Sequence, residues 1–171
     1  MLAFEEVSSS TGSDIWVLPM EGDRKPKPFL QTRFSERTPK LSPDGRWMAY
    51  SSNESGRFEV YVQPFPGPGG KWLVSGDGGG EPVWARSGRE LFYRNGDKMM
   101  AVDVATEGSF SVGKTQLLFE GVYLSLSGLT SFDVTPDGRR FVMIRHDEPA
   151  LPATQLNVVL NWFEELRRRR P

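Results

Sequence analysis

One four-residue turn constrains this chain more than any other feature. Ser42-Pro43-Asp44-Gly45 returns as Thr135-Pro136-Asp137-Gly138. Both fit a type I turn: Ser or Thr leads, Pro fixes φ at the second place, Asp stands third and Gly closes. Each is followed by arginine and an apolar run, Arg46-Trp47-Met48-Ala49-Tyr50 and Arg139-Arg140-Phe141-Val142-Met143-Ile144. A weaker copy, Ala85-Arg86-Ser87-Gly88-Arg89-Glu90-Leu91-Phe92-Tyr93, lies between them.

With Pro43, Arg86 and Pro136 taken as equivalent, the spacings are 43 and 50 residues. Periods of about 40 to 50 residues are those of propeller blades. A second strand-like run keeps the same phase: Glu59–Phe65, Lys98–Val104 and Leu156–Leu160, with Asp14–Pro19 as the earlier counterpart. Lys71–Ser75, Gln116–Glu120 and Phe29–Gln31 read as closing strands. These runs are short, rich in aromatic and β-branched residues, and bounded by Gly, Pro, Asn or Ser. Several, such as Trp47-Met48-Ala49-Tyr50 and Leu91-Phe92-Tyr93, are apolar at successive positions. That pattern requires both faces of a sheet to be buried, which stacked blades provide.

The expected fold is all-β, a β-propeller segment of about four blades with the first and last incomplete. As a single propeller-type domain or part-domain, its approximate blades are 1–35, 36–79, 80–124 and 125–163. A short C-terminal helix is expected over 161–170, with Asn161 as N-cap and Glu164 as the capping-box acid. Its acids come early and its arginines late, as the helix dipole favours.

The pattern Ser42-Pro43-Asp44-Gly45-Arg46 followed by Ala49-Tyr50 resembles the PD40, or TolB-type (WD40-like), propeller repeat. Ser52–Phe65 and Asn157–Phe163 resemble the C-terminal propeller region of acidobacterial-type bacterial serine/threonine kinases. The likeness covers nearly the whole chain. No kinase glycine loop, catalytic loop or Asp-Phe-Gly motif occurs in it. The resemblance thus implies a sensor or scaffold portion without its enzyme, on the extracytoplasmic side if it derives from a membrane-anchored kinase. In the central repeat Arg86-Ser87 replaces Pro-Asp, which departs from the pattern at the turn itself.

Charge and composition narrow the functional classes. The 22 acidic and 21 basic residues nearly cancel, so nothing calls for nucleic acid as partner. The run Arg167–Arg170 reads as a solvated tail. There is no cysteine, hence no disulfide framework or thiolate metal site. No signal-peptide pattern opens the chain, and no window approaches the ~18 apolar residues of a membrane span.

Gly108-Ser109-Phe110-Ser111-Val112-Gly113-Lys114-Thr115 has the spacing of a phosphate-binding loop. Such a site needs a helix starting at Lys114, with backbone amides facing the phosphates. Gln116-Leu117-Leu118-Phe119-Glu120-Gly121 instead reads as a closing strand, leaving 108–115 as an interstrand loop. His146 is the only histidine, so no His pair can form, and His146-Asp147-Glu148 reads as solvated loop. No Gly-x-Ser-x-Gly elbow occurs, and Gly76–Gly80 reads as an interblade loop. Asp44 and Asp137 are better explained as turn residues than as paired catalytic acids. Trp16, Trp47, Trp72 and Trp84 are expected to pack between blades.

The expected function is non-catalytic: a propeller module for protein, peptide or ligand interaction. No catalytic, cofactor-binding or metal-binding residue is assigned, no cofactor is expected, and ligand-binding residues cannot be read from the sequence. The rival expectations are a nucleotide-binding enzyme using 108–115, or the propeller part of an oligopeptidase-type hydrolase. An unclosed array exposes strand edges. The chain is therefore expected to self-associate, as a homo-oligomer completing a ring, or to be marginally stable alone.

Overall fold

The computed structural model describes residues 1–126 and 128–145. The expected strand at Leu156–Leu160, the helix at 161–170 and the loop at His146 lie outside the described residues. Thirteen strands form four antiparallel sheets in chain order, and there is no helix among the described residues. The first sheet holds β1 (Leu2–Ser8), β2 (Gly12–Leu18) and β3 (Lys27–Leu30). The second holds β4 (Glu36–Leu41), β5 (Trp47–Ser52), β6 (Glu59–Pro64) and β7 (Trp72–Leu73). The third holds β8 (Gly80–Trp84), β9 (Glu90–Asn95), β10 (Lys98–Ala105) and β11 (Ser111–Glu120). The fourth holds β12 (Phe132–Val134) and β13 (Phe141–Met143).

The repeated turn joins the first two strands of a unit, in all three copies. The Gly45, Gly88 and Gly138 amides donate to the carbonyls of Ser42, Ala85 and Thr135, and each glycine has a positive φ near 70°. The central copy closes the same way without Pro or Asp: its hairpin pairing, from the Ala85 amide to the Glu90 carbonyl, matches Ser42 to Trp47 and Thr135 to Arg140. Ser87 Oγ accepts from the Arg89 amide where Asp44 and Asp137 accept from Arg46 and Arg139.

The strands β4, β8 and β12, which precede the turns, have no counterpart in the sequence reading. Pro39 and Pro82 lie in two of them, and a proline inside a short run argues against a strand. The structure accommodates both. β4 and β8 are edge strands, and each bulges where its proline sits, between Arg37 and Lys40 and between Gly80 and Val83.

Successive apolar residues point to opposite neighbours, which explains the unbroken runs. Met48 and Tyr50 pack with Ile15 of the first sheet, while Ala49 between them packs toward the third. Leu91 and Tyr93 meet the second sheet, and Phe92 meets Phe132 and Phe141 of the fourth. The second and third sheets share an aromatic layer in which Phe110 lies 5.1 Å from Trp47 and 5.4 Å from Trp72, centroid to centroid. Each sheet is thus stabilised by its neighbours rather than by one central core.

Candidate functional site

The two bulges place Thr38 and Glu81 at equivalent positions, each just before its proline and each with positive φ, 51° and 56°. For a β-branched residue this is an outlier. Such conformations cost about 1–3 kcal/mol and persist only where the surroundings fix them. Here they are fixed by hydrogen bonds. The Thr38 amide donates to Glu5 Oε1 at 2.6 Å, and its hydroxyl pairs with Ser51 Oγ at 2.9 Å. Glu81 accepts from Ser125 Oγ and the Ser131 amide, both at 2.7 Å, and from Ser131 Oγ at 2.5 Å.

Between these two residues opens a cavity of about 450 Å³. Its walls include Arg37, Phe58, Arg94 and Tyr123, with the Arg37 guanidinium 4.9 Å from the Phe58 ring centroid. The size falls within the ~300–1,000 Å³ of small-ligand sites, and a mostly apolar wall carrying a few fixed polar groups is their usual composition. Gly78, Gly79 and Gly80 form one side. A Cβ on Gly79 would lie 2.8 Å from Ser75 Cβ and 2.9 Å from Tyr93 Cδ2, so the backbone can pass there only as glycine.

The charges around the cavity are unevenly matched. Burial pushes the Glu5 carboxyl up, opposed by the Thr38 amide, the Arg37 charge and Ser13. Glu81 is occupied by its serine donors. Arg94 is only 4% exposed. It donates from Nη1 to the Leu124 carbonyl and from Nη2 to the Gly96 carbonyl, both at 2.9 Å. It forms no ion pair among the described residues.

A second polar cluster lies between the first and second sheets. Asp14 and Glu36 are both fully buried, and each keeps one carboxylate oxygen, Oδ1 and Oε2, without a hydrogen-bond partner. Burial pushes the Glu36 carboxyl up; Thr32 opposes this, and the Asp14 charge adds to it. The other Asp14 oxygen accepts from Thr11 Oγ1 and Gln31 Nε2. Glu59 occupies the same place in the second sheet and accepts from Ser75 Oγ and the Gly78 amide. Asp14 on β2 and Glu59 on β6 thus tie their strands to the closing segments of their units.

The residues singled out from the sequence are scattered. Gly108–Phe110 is a short connection, and Ser111–Thr115 belongs to β11, correcting its assignment to a loop. Lys114 is exposed on a strand, and no helix begins there. Phe110 is buried in the aromatic layer. Asp44 and Asp137 stay within their own turns, accepting from Ser42 and Thr135. Trp47 and Trp84 are buried between sheets. Among the described residues no three His, Asp or Glu side chains gather as metal ligands, and no helix is long and apolar enough to cross a membrane. The cavity residues escaped sequence reading because they come from segments far apart in the chain. The signal they did leave is the repeated pair Thr38-Pro39 and Glu81-Pro82.

No family model and no curated protein matches the chain. Among solved structures, a protein assigned as TolB from Agrobacterium tumefaciens is similar, with a TM-score of 0.56 and 16% identity over 69% of this chain and 44% of that one. TolB from Acinetobacter baumannii aligns with a TM-score of 0.48 and 16% identity over 81% of this chain and 45% of its own. The chain spans less than half the length of either structure. The stacked antiparallel sheets, the repeated hairpin turn and the likeness to the Agrobacterium structure together establish a β-propeller fold of the kind seen in TolB.

Proposed function

We propose that the chain is a non-catalytic propeller module that binds a protein or peptide, serving as the sensor or scaffold part of a bacterial kinase or a TolB-like protein. The observation that carries this reading is the cavity between Thr38 and Glu81. Two strained residues are held there by hydrogen bonds to other segments, Thr38 by Glu5 and Glu81 by Ser125 and Ser131, around an apolar wall bearing arginine. Backbone strain concentrates at binding and switching sites. The kinase part of the proposal rests on the resemblance of Ser52–Phe65, and the division into units 1–35, 36–79, 80–124 and 125–163 on the four sheets. Hydrogen–deuterium exchange with a pool of short synthetic peptides tests the binding. Protection at Gly78–Glu81 and Tyr123–Leu126 is expected; protection confined to other segments would overturn it.

The partner proposal extends to a second copy. Among the described residues β1 pairs only with β2, and strand edges left unpaired recruit other strands. Light scattering after size exclusion is expected to give a mass above the 19.2 kDa of one chain. A monomer would remove the ring-completing homo-oligomer and leave the cavity reading untouched.

A further inference from the structure

We infer that Arg94 anchors a carboxylate of the bound peptide. The inference rests on the cavity being a ligand site and adds the chemistry of the ligand. A guanidinium offers five N–H donors in a planar fork, and Arg94 spends two of them, both on neutral backbone carbonyls. The residue is buried and lines the cavity. A buried cation without a counter-charge is costly unless a partner supplies one. No acid on the wall forms an ion pair with it among the described residues: Glu81 turns its oxygens to Ser125 and Ser131, and Asp97 is exposed. The Arg37 charge acts on Glu5.

A single guanidinium fork without an ion-pair partner suits a monoanion. With Glu81 and Asp97 on the same wall, a dianion such as phosphate would be repelled. A carboxylate matches the fork with two parallel N–H···O bonds, and Phe58, Tyr123 and Leu126 would take the apolar part of the peptide. The corresponding position of the second sheet is Ser51, so this charge belongs to one wall of the cavity and is not a requirement of the repeat.

The carboxylate can come from a chain end or from an acidic side chain, and three probes separate these: N-acetyl-Ala-Phe with a free C-terminus, the same dipeptide as its amide, and N-acetyl-Glu-Phe amide. Each is titrated into the whole chain by ¹⁵N NMR, following the Arg94 Nε–H and the Gly78, Gly79 and Gly80 amides. Binding by the first probe alone assigns a C-terminal carboxylate, and binding by the third alone a side-chain carboxylate. Arg94→Gln is expected to weaken the binding probe at least tenfold. Arg94→Lys, which keeps the charge and loses the fork, serves where Arg94→Gln does not fold, and is also expected to weaken it. If the plain amide binds as tightly as the acids, or inorganic phosphate binds more tightly, the carboxylate inference fails while the cavity remains a ligand site. If no probe moves the cavity signals, both readings fail.

Discussion

The Thr38 amide of the second sheet donates at 2.6 Å to Glu5 Oε1 of the first. The equivalent amide of the next-but-one unit, Ser131, donates at 2.7 Å to Glu81 Oε2. The amide at the same repeat position is thus captured twice by an acid from another sheet, although Glu5 lies on β1 and Glu81 on β8. These bonds tie neighbouring units together at the end where the cavity opens.

Removing either acid leaves a part-buried amide unpaired, which costs about 1–3 kcal/mol. Glu5→Ala and Glu81→Ala are each expected to lower the guanidinium unfolding free energy by about that amount. The two sites share no partner, so the double variant should be additive to within about 0.5 kcal/mol. A loss in the double variant no larger than in either single one would show that the units do not depend on these links.

Burial pushes Glu5, Glu36 and Glu90 above the ordinary glutamate range. A raised folded-state pKa means that the native state holds more protons than the unfolded chain in the window above the unfolded value. Stability must therefore fall as pH rises from about 4.5 through the raised values. Glu36→Gln supplies an N–H where Oε2 has no donor, and is expected to flatten part of this slope and raise stability at pH 7. Urea unfolding midpoints across pH 4.5 to 8 measure both effects; a steeper slope in the variant would contradict the assignment.

Asp44 works in the opposite sense. Burial alone would raise its carboxyl, but the Ser42 hydroxyl and the Arg46 amide and guanidinium together hold it below the usual range. Its contribution is present above the unfolded value and is lost as pH falls through the lower folded one. Asp44→Ala is expected to cost about 1 kcal/mol at pH 7 and less at pH 3. An equal cost at both values would mean that its bonds do not depend on ionisation.

Phe110 and Lys114 share the segment that has phosphate-loop spacing, and they are expected to separate cleanly. Phe110→Ala removes the ring that packs against both Trp47 and Trp72 and should cost about 3–5 kcal/mol. Lys114→Ala should change stability by less than about 0.5 kcal/mol. Equilibrium ATP binding should be absent in both the parent and Lys114→Ala; magnesium-dependent binding lost in the variant would reinstate the nucleotide reading.

Gly79→Ala places a methyl against Ser75 and Tyr93, with little room for either to yield. It is expected to destabilise by about 1–3 kcal/mol. Gly70→Ala meets nothing within 4 Å and should be close to neutral. Equal thermal midpoints for the two variants would contradict the close approach at the cavity wall.

The second strands were legible because both faces are buried. Met48-Ala49-Tyr50 and Leu91-Phe92-Tyr93 are apolar at every step, and the turn fixes where each begins. β4 and β8 were not, since Pro39 and Pro82 sit in bulges that an edge strand tolerates. β1 was missed for another reason: Glu5 and Glu6 break its apolar pattern, and Glu5 is spent on an amide in another unit. The cavity was illegible because Thr38, Glu81 and Arg94 converge through sheet stacking. Arg94 in particular reads as an ordinary surface charge at a strand end.

The central turn, Ala85-Arg86-Ser87-Gly88, has lost both the proline and the aspartate and still closes like its neighbours. Hairpin pairing and a single glycine are therefore sufficient, and the other motif residues can differ in one unit while its sheet still stacks on its neighbours. Variation of that kind changes the letters without changing the architecture. A chain can then share 16% of its residues with TolB, match no family model, and remain a propeller.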